Sequence, residues 1–225
     1  MNEIANLADA FTSGELWQII ALSLGISLSA TAVATILGLP FGAALAIWRF
    51  PGRGAVIVAA NALLGLPPVV VGLALYLLLS HSGPLGGLGL LFTPSAMVIA
   101  QTVLALPIVT ALAHRAGEEY WAVYGDALMD LGASKPRAVP ALIAMARAPM
   151  LTAVLAGFGR TISEVGAIIV VGGNIAAYTR TMTTAIVLET GMGNLPLALG
   201  LGLVLIGLTT MICAGAFALA GRSGQ

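Results

Sequence analysis

Charged and apolar positions along this chain fall into separate blocks. Residues 16–48, 54–114 and 190–221 contain no Asp, Glu, Lys or Arg. These runs are continuous, which is the pattern of helices; barrel strands alternate lipid-facing with lumen-facing residues. About 20 helical residues cross the roughly 30 Å of hydrocarbon in a bilayer, where an unpaired backbone group finds no water. At about 1.5 Å per residue, the first run is too long for one perpendicular crossing. A tilt, an extension past the bilayer or a bend near Gly38-Leu39-Pro40 is therefore expected. Thr12-Ser13-Gly14-Glu15 ahead of it has the spacing of a capping box.

The second run must hold two helices, over residues 55–80 and 95–113, joined by the Gly- and Pro-rich stretch from His81 to Pro94. Gly65-Leu66-Pro67-Pro68 interrupts the first of these and Pro107 the second. Such breaks are tolerated where the freed carbonyls face protein or a watery cavity, so pore lining and simple packing kinks both account for them. A fourth span over residues 149–171 carries Arg160 and Glu164, and a connection over residues 172–194 leads to a fifth over 195–220. A sixth crossing would need residues 178–188, a short stretch containing Arg180. The expected fold is an all-α integral membrane protein of about five transmembrane helices, a single domain over residues 1–225. Its polar segment, residues 115–147, lies between the third and fourth spans.

Composition agrees with this pattern. Apolar residues make up 59% and charged residues 8% of the 225, against about 45–50% and about 25% in soluble domains. The natural solvent for such a surface is lipid. Formal net charge is zero, which removes the electrostatic basis for binding nucleic acid. Cys213 has no partner for an internal disulfide, and no Cys/His cluster has metal-ligand spacing; it reads as a packing residue. Glu3, Asp9 and Glu15 precede the first span with no Lys or Arg, unlike the basic start of a secretory signal, so a retained first span is expected. Placing the N-terminus outside puts Arg49, Arg53, Arg115, Lys135, Arg137, Arg147 and Arg222 inside. That is seven of the nine Lys and Arg, the bias of cytoplasmic loops, and it predicts N-out, C-in topology. His81 and His114 read as isolated interfacial residues. No Ser-His, Cys-His or metal constellation is available for an intramembrane enzyme.

Three segments could carry function. In the polar segment, Asp126, Ala127, Leu128 and Leu131 precede Gly132 and Ala133. Ser134 can cap a following helix whose first turn accommodates Pro136. Two short helices meeting at a glycine form a knob for seating in a soluble partner; a helix lying on the bilayer would give the same pattern. Arg160 and Glu164 stand four apart, able to neutralise each other on one helix, because buried charges in a membrane usually pair. A static ion pair and a gate both fit. Thr179, Thr181, Thr183 and Thr184 surround Arg180, and hydroxyl and guanidinium donors suit a tetrahedral oxyanion in passage. A polar re-entrant stretch packed in a dimer would look the same.

At these residues the chain resembles a known family. Asp126-Ala127-Leu128 with Gly132 resembles the cytoplasmic Glu-Ala-Ala…Gly motif of ATP-binding-cassette importer permeases. Leu128 departs from the second alanine, and Leu142, Ala144 and Met145 replace the motif's usual Ile-x-Leu-Pro tail. Arg160…Glu164-Val165-Gly166-Ala167, followed by Gly173-Asn174-Ile175, resembles the corresponding segment of molybdate and tungstate permeases. The run from Tyr178 to Thr190 and the Gly65-Leu66-Pro67-Pro68-Val69-Val70-Val71-Gly72 run resemble the tungstate branch most. The resemblance implies two copies of the chain forming a pathway in the bacterial cytoplasmic membrane. It also implies cytoplasmic ATPase subunits that receive the knob and an extracytoplasmic oxyanion-binding protein. ATP and Mg would sit on the ATPase, since this chain has no Gly-x-x-x-x-Gly-Lys-Ser/Thr loop and needs no cofactor of its own. The implied cargo is tungstate, with molybdate or sulfate as alternatives. An ion-coupled secondary carrier is the competing class, although it usually brings internal repeats and unpaired midplane acids.

Overall fold

A computed structural model describes residues 14–222 of the chain. Thr12 and Ser13 of the expected capping box, and the acidic residues Glu3 and Asp9, lie outside them. Among the described residues nine helices follow one another: α1 (Gly14–Ile47), α2 (Arg53–Ala62), α3 (Pro68–Leu79), α4 (Pro94–Asp130), α5 (Lys135–Met145), α6 (Arg147–Ile162), α7 (Gly166–Gly172), α8 (Met182–Gly191) and α9 (Leu195–Arg222). Short 3-10 turns at Leu63–Gly65 and Gly86–Leu88 complete the secondary structure, and no strand occurs among the described residues.

Among the described residues three helices are long and apolar enough to cross a membrane alone: Leu16–Ile47, Pro94–Asp130 and Leu195–Ala218. The number rises to five when two broken pairs each count as one crossing, Arg53–Gly65 with Pro68–Leu79 and Lys135–Met145 with Arg147–Ile162. The all-helical membrane architecture is thus the expected one. At ten residues, or about 15 Å at 1.5 Å per residue, α8 is too short to add a sixth.

Several boundaries differ from the sequence expectation. Of the alternatives open for the first run, a break at Pro40 is not the one taken, since the helix continues through it. Third in the series, α4 does not stop near Ala113; it passes through Pro107 and reaches Asp130. After His114 nothing in the sequence forbids helix, and Gly117 lets this extension lie against Ala46 of α1. Conversely, the helix expected over residues 149–171 ends at Ile162 and restarts at Gly166. A turn at Ala146 also bends α5 against α6 by 80°.

The chain forms two compact units. Among the described residues, one comprises 14–29, 67–101 and 162–219; the other comprises 30–66, 102–161 and 220–222. In the second, α1 packs on α4 along small residues. Ala34, Ala105 and Val109 form a buried cluster with Leu39 and Leu106 against it. At Gly42 the helices touch so closely that a Cβ would stand 2.6 Å from the Thr110 carbonyl oxygen and 2.7 Å from the Ala113 Cβ. Close approach at small residues is how helices associate where lipid removes the hydrophobic drive. In the first unit, α3 and α7 meet at Gly72, where a Cβ would lie 2.9 Å from the Ala167 Cα. Leu16, Ile19 and Ile20 of α1 form a core with Met182, Ala185 and Leu201. The last helix, α9, leaves Leu199, Leu203, Ile206 and Met211 all more than 60% exposed, a surface that only lipid or another apolar surface can cover.

Gly42→Val is expected to destabilise the purified chain by more than the about 1–3 kcal/mol of ordinary overpacking, because the obstacle is backbone. Gly25→Ala, with no heavy atom within 4 Å of its Cβ position, should leave the thermal midpoint in detergent unchanged or raised, since alanine is the better helix former.

Candidate functional site

The polar segment folds around one residue. Gly132 takes φ +81°, a left-handed conformation that glycine adopts without steric cost. The Ala133 N–H donates to the Leu128 carbonyl at 3.0 Å and the Gly132 N–H to that of Met129 at 2.9 Å. This is a Schellman closure, which satisfies the last carbonyls of α4. Ser134 occupies the N-cap position of α5 with extended backbone, although its hydroxyl makes no capping bond, and Pro136 sits in the first turn. Asp126, Ala127 and Ser134 are exposed, while Leu128 and Ala133 are half-buried. Leu131, at the tip, is 85% exposed. The two arms meet at a glycine turn, the first being the end of a 37-residue helix rather than the short helix expected. Its second arm is anchored, since Ala138 and Leu142 of α5 are buried against Ala43, Ala46 and Ile47 of α1.

A cluster that the sequence reading did not assemble holds the base of this segment. The Arg53 Nη2 donates to Glu118 Oε1 at 2.6 Å and lies 3.1 Å from His114 Nε2. Its Nε donates to the Leu45 carbonyl at 2.7 Å, one of the carbonyls left over at the end of α1. One guanidinium therefore caps α1 and ties it to α4. His114 is 6% exposed, a buried member of this cluster rather than the isolated interfacial residue expected. The available signal was the four-residue spacing of His114 and Glu118, but nothing in the sequence pointed to Arg53 as their partner.

Arg160 and Glu164 do not share a helix as expected. Arg160 lies in the last turn of α6, and Glu164 lies in the break before α7. The guanidinium Nη2 of Arg160 reaches the carbonyl of Leu66 at 3.4 Å, beside Pro67 and Pro68, which have no N–H to offer. The Glu164 carboxylate accepts the Ala167 N–H at 3.1 Å, a backbone donor in the first turn of α7. Each charged group thus serves a backbone group exposed by a helix break.

The threonines do related work. The Thr183 hydroxyl donates to the Glu164 carbonyl at 2.9 Å. That of Thr179 donates to the Gly172 carbonyl at 2.6 Å and accepts the Ile175 N–H at 2.9 Å. Thr181 caps α8, with Thr184 reciprocating in a capping box. All four are at most 6% exposed, and their hydroxyls are occupied within the chain. Arg180 differs: it is half-buried and lines an open cavity. Of the expected anion-path residues, the geometry leaves Arg180 facing accessible space and makes the threonines its frame. No group of three or more His, Cys, Asp or Glu able to hold a metal occurs among the described residues.

Comparison with known proteins bears on this arrangement. The chain is 40% identical over 198 residues to a probable anion ABC transporter permease protein of Haloferax volcanii, covering 86% of this chain and 85% of that one. It is 36% identical over 205 residues to the tungstate uptake system permease protein TupB of Peptoclostridium acidaminophilum, covering 91% and 90%. The molybdenum transport system permease protein ModB of Azotobacter vinelandii is 32% identical over 180 residues, covering 74% and 77%. No family model matches the chain.

Thr183→Val keeps the side-chain volume but removes the donor to the buried Glu164 carbonyl, and should cost about 1–3 kcal/mol of stability. Thr190→Val, on an exposed helical face, should change it by less than about 0.5 kcal/mol. Paired thermal denaturation of the two variants in detergent checks both values.

Proposed function

The chain belongs to the ABC oxyanion importer permeases, and on that premise we propose that it forms the translocation pathway of an ATP-driven tungstate importer. Molybdate and sulfate are the alternative cargoes. Two copies enclose the path, and the apolar surface left open on α9 suits a bilayer. ATP and Mg are bound by separate ATPase subunits, and an extracytoplasmic binding protein delivers the anion.

The observation that carries the coupling half of this reading is the Gly132 turn. It holds an almost fully exposed leucine at the tip of a polar segment whose two arms are both fastened to α1. Such a knob transmits force, because a push on Leu131 reaches α1 through Ala138 and Leu142, and through the Arg53–Glu118 pair. With seven of nine basic residues on the same side, the knob faces the cytoplasm and the N-terminus faces out. Closure of the ATPases on nucleotide then biases the permease between two states open to opposite sides. Glu164 and Arg160, each engaged with backbone at a helix break, fit elements that hold those breaks rather than a proton relay, which favours the importer over an ion-coupled carrier.

Two measurements test the reading. Calorimetric titration of the cognate binding protein should give tighter binding of tungstate than of molybdate, and no competition from sulfate; preference for sulfate overturns the cargo assignment. Gly132→Val forces φ +81° on a residue that pays about 1–2 kcal/mol for left-handed backbone. In proteoliposomes the assembled variant should hydrolyse ATP with anion uptake reduced severalfold. An unchanged ratio of uptake to hydrolysis, or labelling of Lys135 from the outside, rejects the knob.

A further inference from the structure

The first compact unit contains an open cavity of about 430 Å³ between the start of α1 and the loop that leads into α8. Three polar side chains line it: Gln18, Tyr178 and Arg180; its other lining residues are the apolar Ile19, Leu22, Ala21 and Ala177. An amide, a phenol and a guanidinium can all donate hydrogen bonds. No carboxylate is among the lining residues. The apolar walls lower the local dielectric and strengthen whatever polar bonds form there. The volume exceeds that of a five-atom anion with part of its hydration shell.

The frame of this cavity is built before any ligand arrives. On one side of Arg180, Thr179 is fully buried and bonded to Gly172 and Ile175. On the other, Thr181 caps α8. The Arg180 N–H itself donates to the Ile175 carbonyl at 3.0 Å. Across the cavity, Ser23 of α1 accepts the Met182 N–H at 2.7 Å, which pins the loop to the helix that supplies Gln18. A guanidinium carries five donors in a planar fork, so an internal contact leaves others for a ligand. A backbone frame fixed in advance lowers the ordering cost that usually weakens a small anion site.

We propose that this cavity is a binding site for a tetrahedral oxyanion on the permease itself, with Arg180 as its charged donor and Gln18 and Tyr178 as neutral ones. The proposal rests on the oxyanion-importer reading and deepens it by assigning the cargo a holding place in this chain. The same chemistry is presented by a free oxyanion and by the phosphate of a lipid headgroup. Trp17, 65% exposed beside Gln18, is a residue type that collects at headgroup depth, so both sources are tested.

The test uses the full chain assembled with its ATPase subunits, without binding protein, in nanodiscs of zwitterionic lipid. Retained tungstate is measured by equilibrium dialysis with metal detection, and orthophosphate is a second probe. Saturable retention is expected, weakened about tenfold or more by Arg180→Gln, the scale of a charge-assisted hydrogen bond, and less by Arg180→Lys. Tyr178→Phe, at an exposed position, should weaken it severalfold with an unchanged thermal midpoint. If anionic lipid competes with tungstate in the wild type and not in Arg180→Gln, the headgroup phosphate is the occupant and the site stands. Absence of saturable retention, or retention equal in wild type, Arg180→Gln and Tyr178→Phe, overturns the site. If uptake of tungstate by the complete transporter proceeds normally in that case, only the cavity assignment falls; a binding protein that takes no tetrahedral oxyanion removes the importer reading instead.

Discussion

A backbone group freed inside a membrane must find a partner within the protein, and this requirement accounts for the positions of Arg160, Glu164, Thr179 and Thr183. Lipid offers no hydrogen bond to an unpaired N–H or C=O, yet the chain interrupts its helices at Gly65–Pro68, at residues 163–165 and at Gly172. Each interruption has its own answer. Arg160 reaches the Leu66 carbonyl, the Glu164 carboxylate receives the Ala167 N–H, Thr183 serves the Glu164 carbonyl, and Thr179 serves that of Gly172. The Phe92 N–H closes on the Val171 carbonyl in the same manner. Polar side chains appear where the helices stop, and they bond backbone groups at both ends of short segments such as α7 in the first unit.

In the second unit, charge and close contact together fasten the polar segment. Gly42 and Gly117 let α4 lie directly on α1. Arg53 then caps the end of α1 and pairs with Glu118 on α4. The partly exposed ion pair adds little by itself; its value is that a single side chain joins a helix terminus to a neighbouring helix. The α5 arm is seated on the same part of α1 through Ala138 and Leu142. The helices on both sides of the Gly132 turn are therefore joined to the same end of α1.

Legibility from sequence followed the range of the interaction concerned. The charge-free runs located the membrane elements, since the cost of a charge in hydrocarbon is local and large. The Gly132 turn was readable too, because a Schellman closure is made by neighbours in the chain. Proline was a poorer guide. Pro40 and Pro107 lie within continuous helices, whereas Pro67 and Pro68 stand at a true break. Pairing Arg160 with Glu164 on one helix was wrong about the backbone between them, because the helix ends at Ile162 and the acid serves the next one. From sequence His114 reads as isolated, and the threonines fit an anion path and a packed polar stretch alike. The first is held by Arg53, 61 residues away, and Thr183 by a carbonyl 19 residues away.

By itself, then, the sequence determined that the chain is helical, lives in lipid, and carries one polar segment with a glycine turn. Each of these follows from the free energy of transferring single residues or from bonds between near neighbours. Only the tertiary structure decided what the buried polar groups do, since a hydroxyl or guanidinium in a membrane bonds to whichever backbone group folding leaves bare beside it. That neighbour is set by how helices pack and where they break, and one-dimensional spacing does not encode it. Among the expected path residues Arg180 lines an open cavity, while the threonines beside it are buried in the packing of the chain.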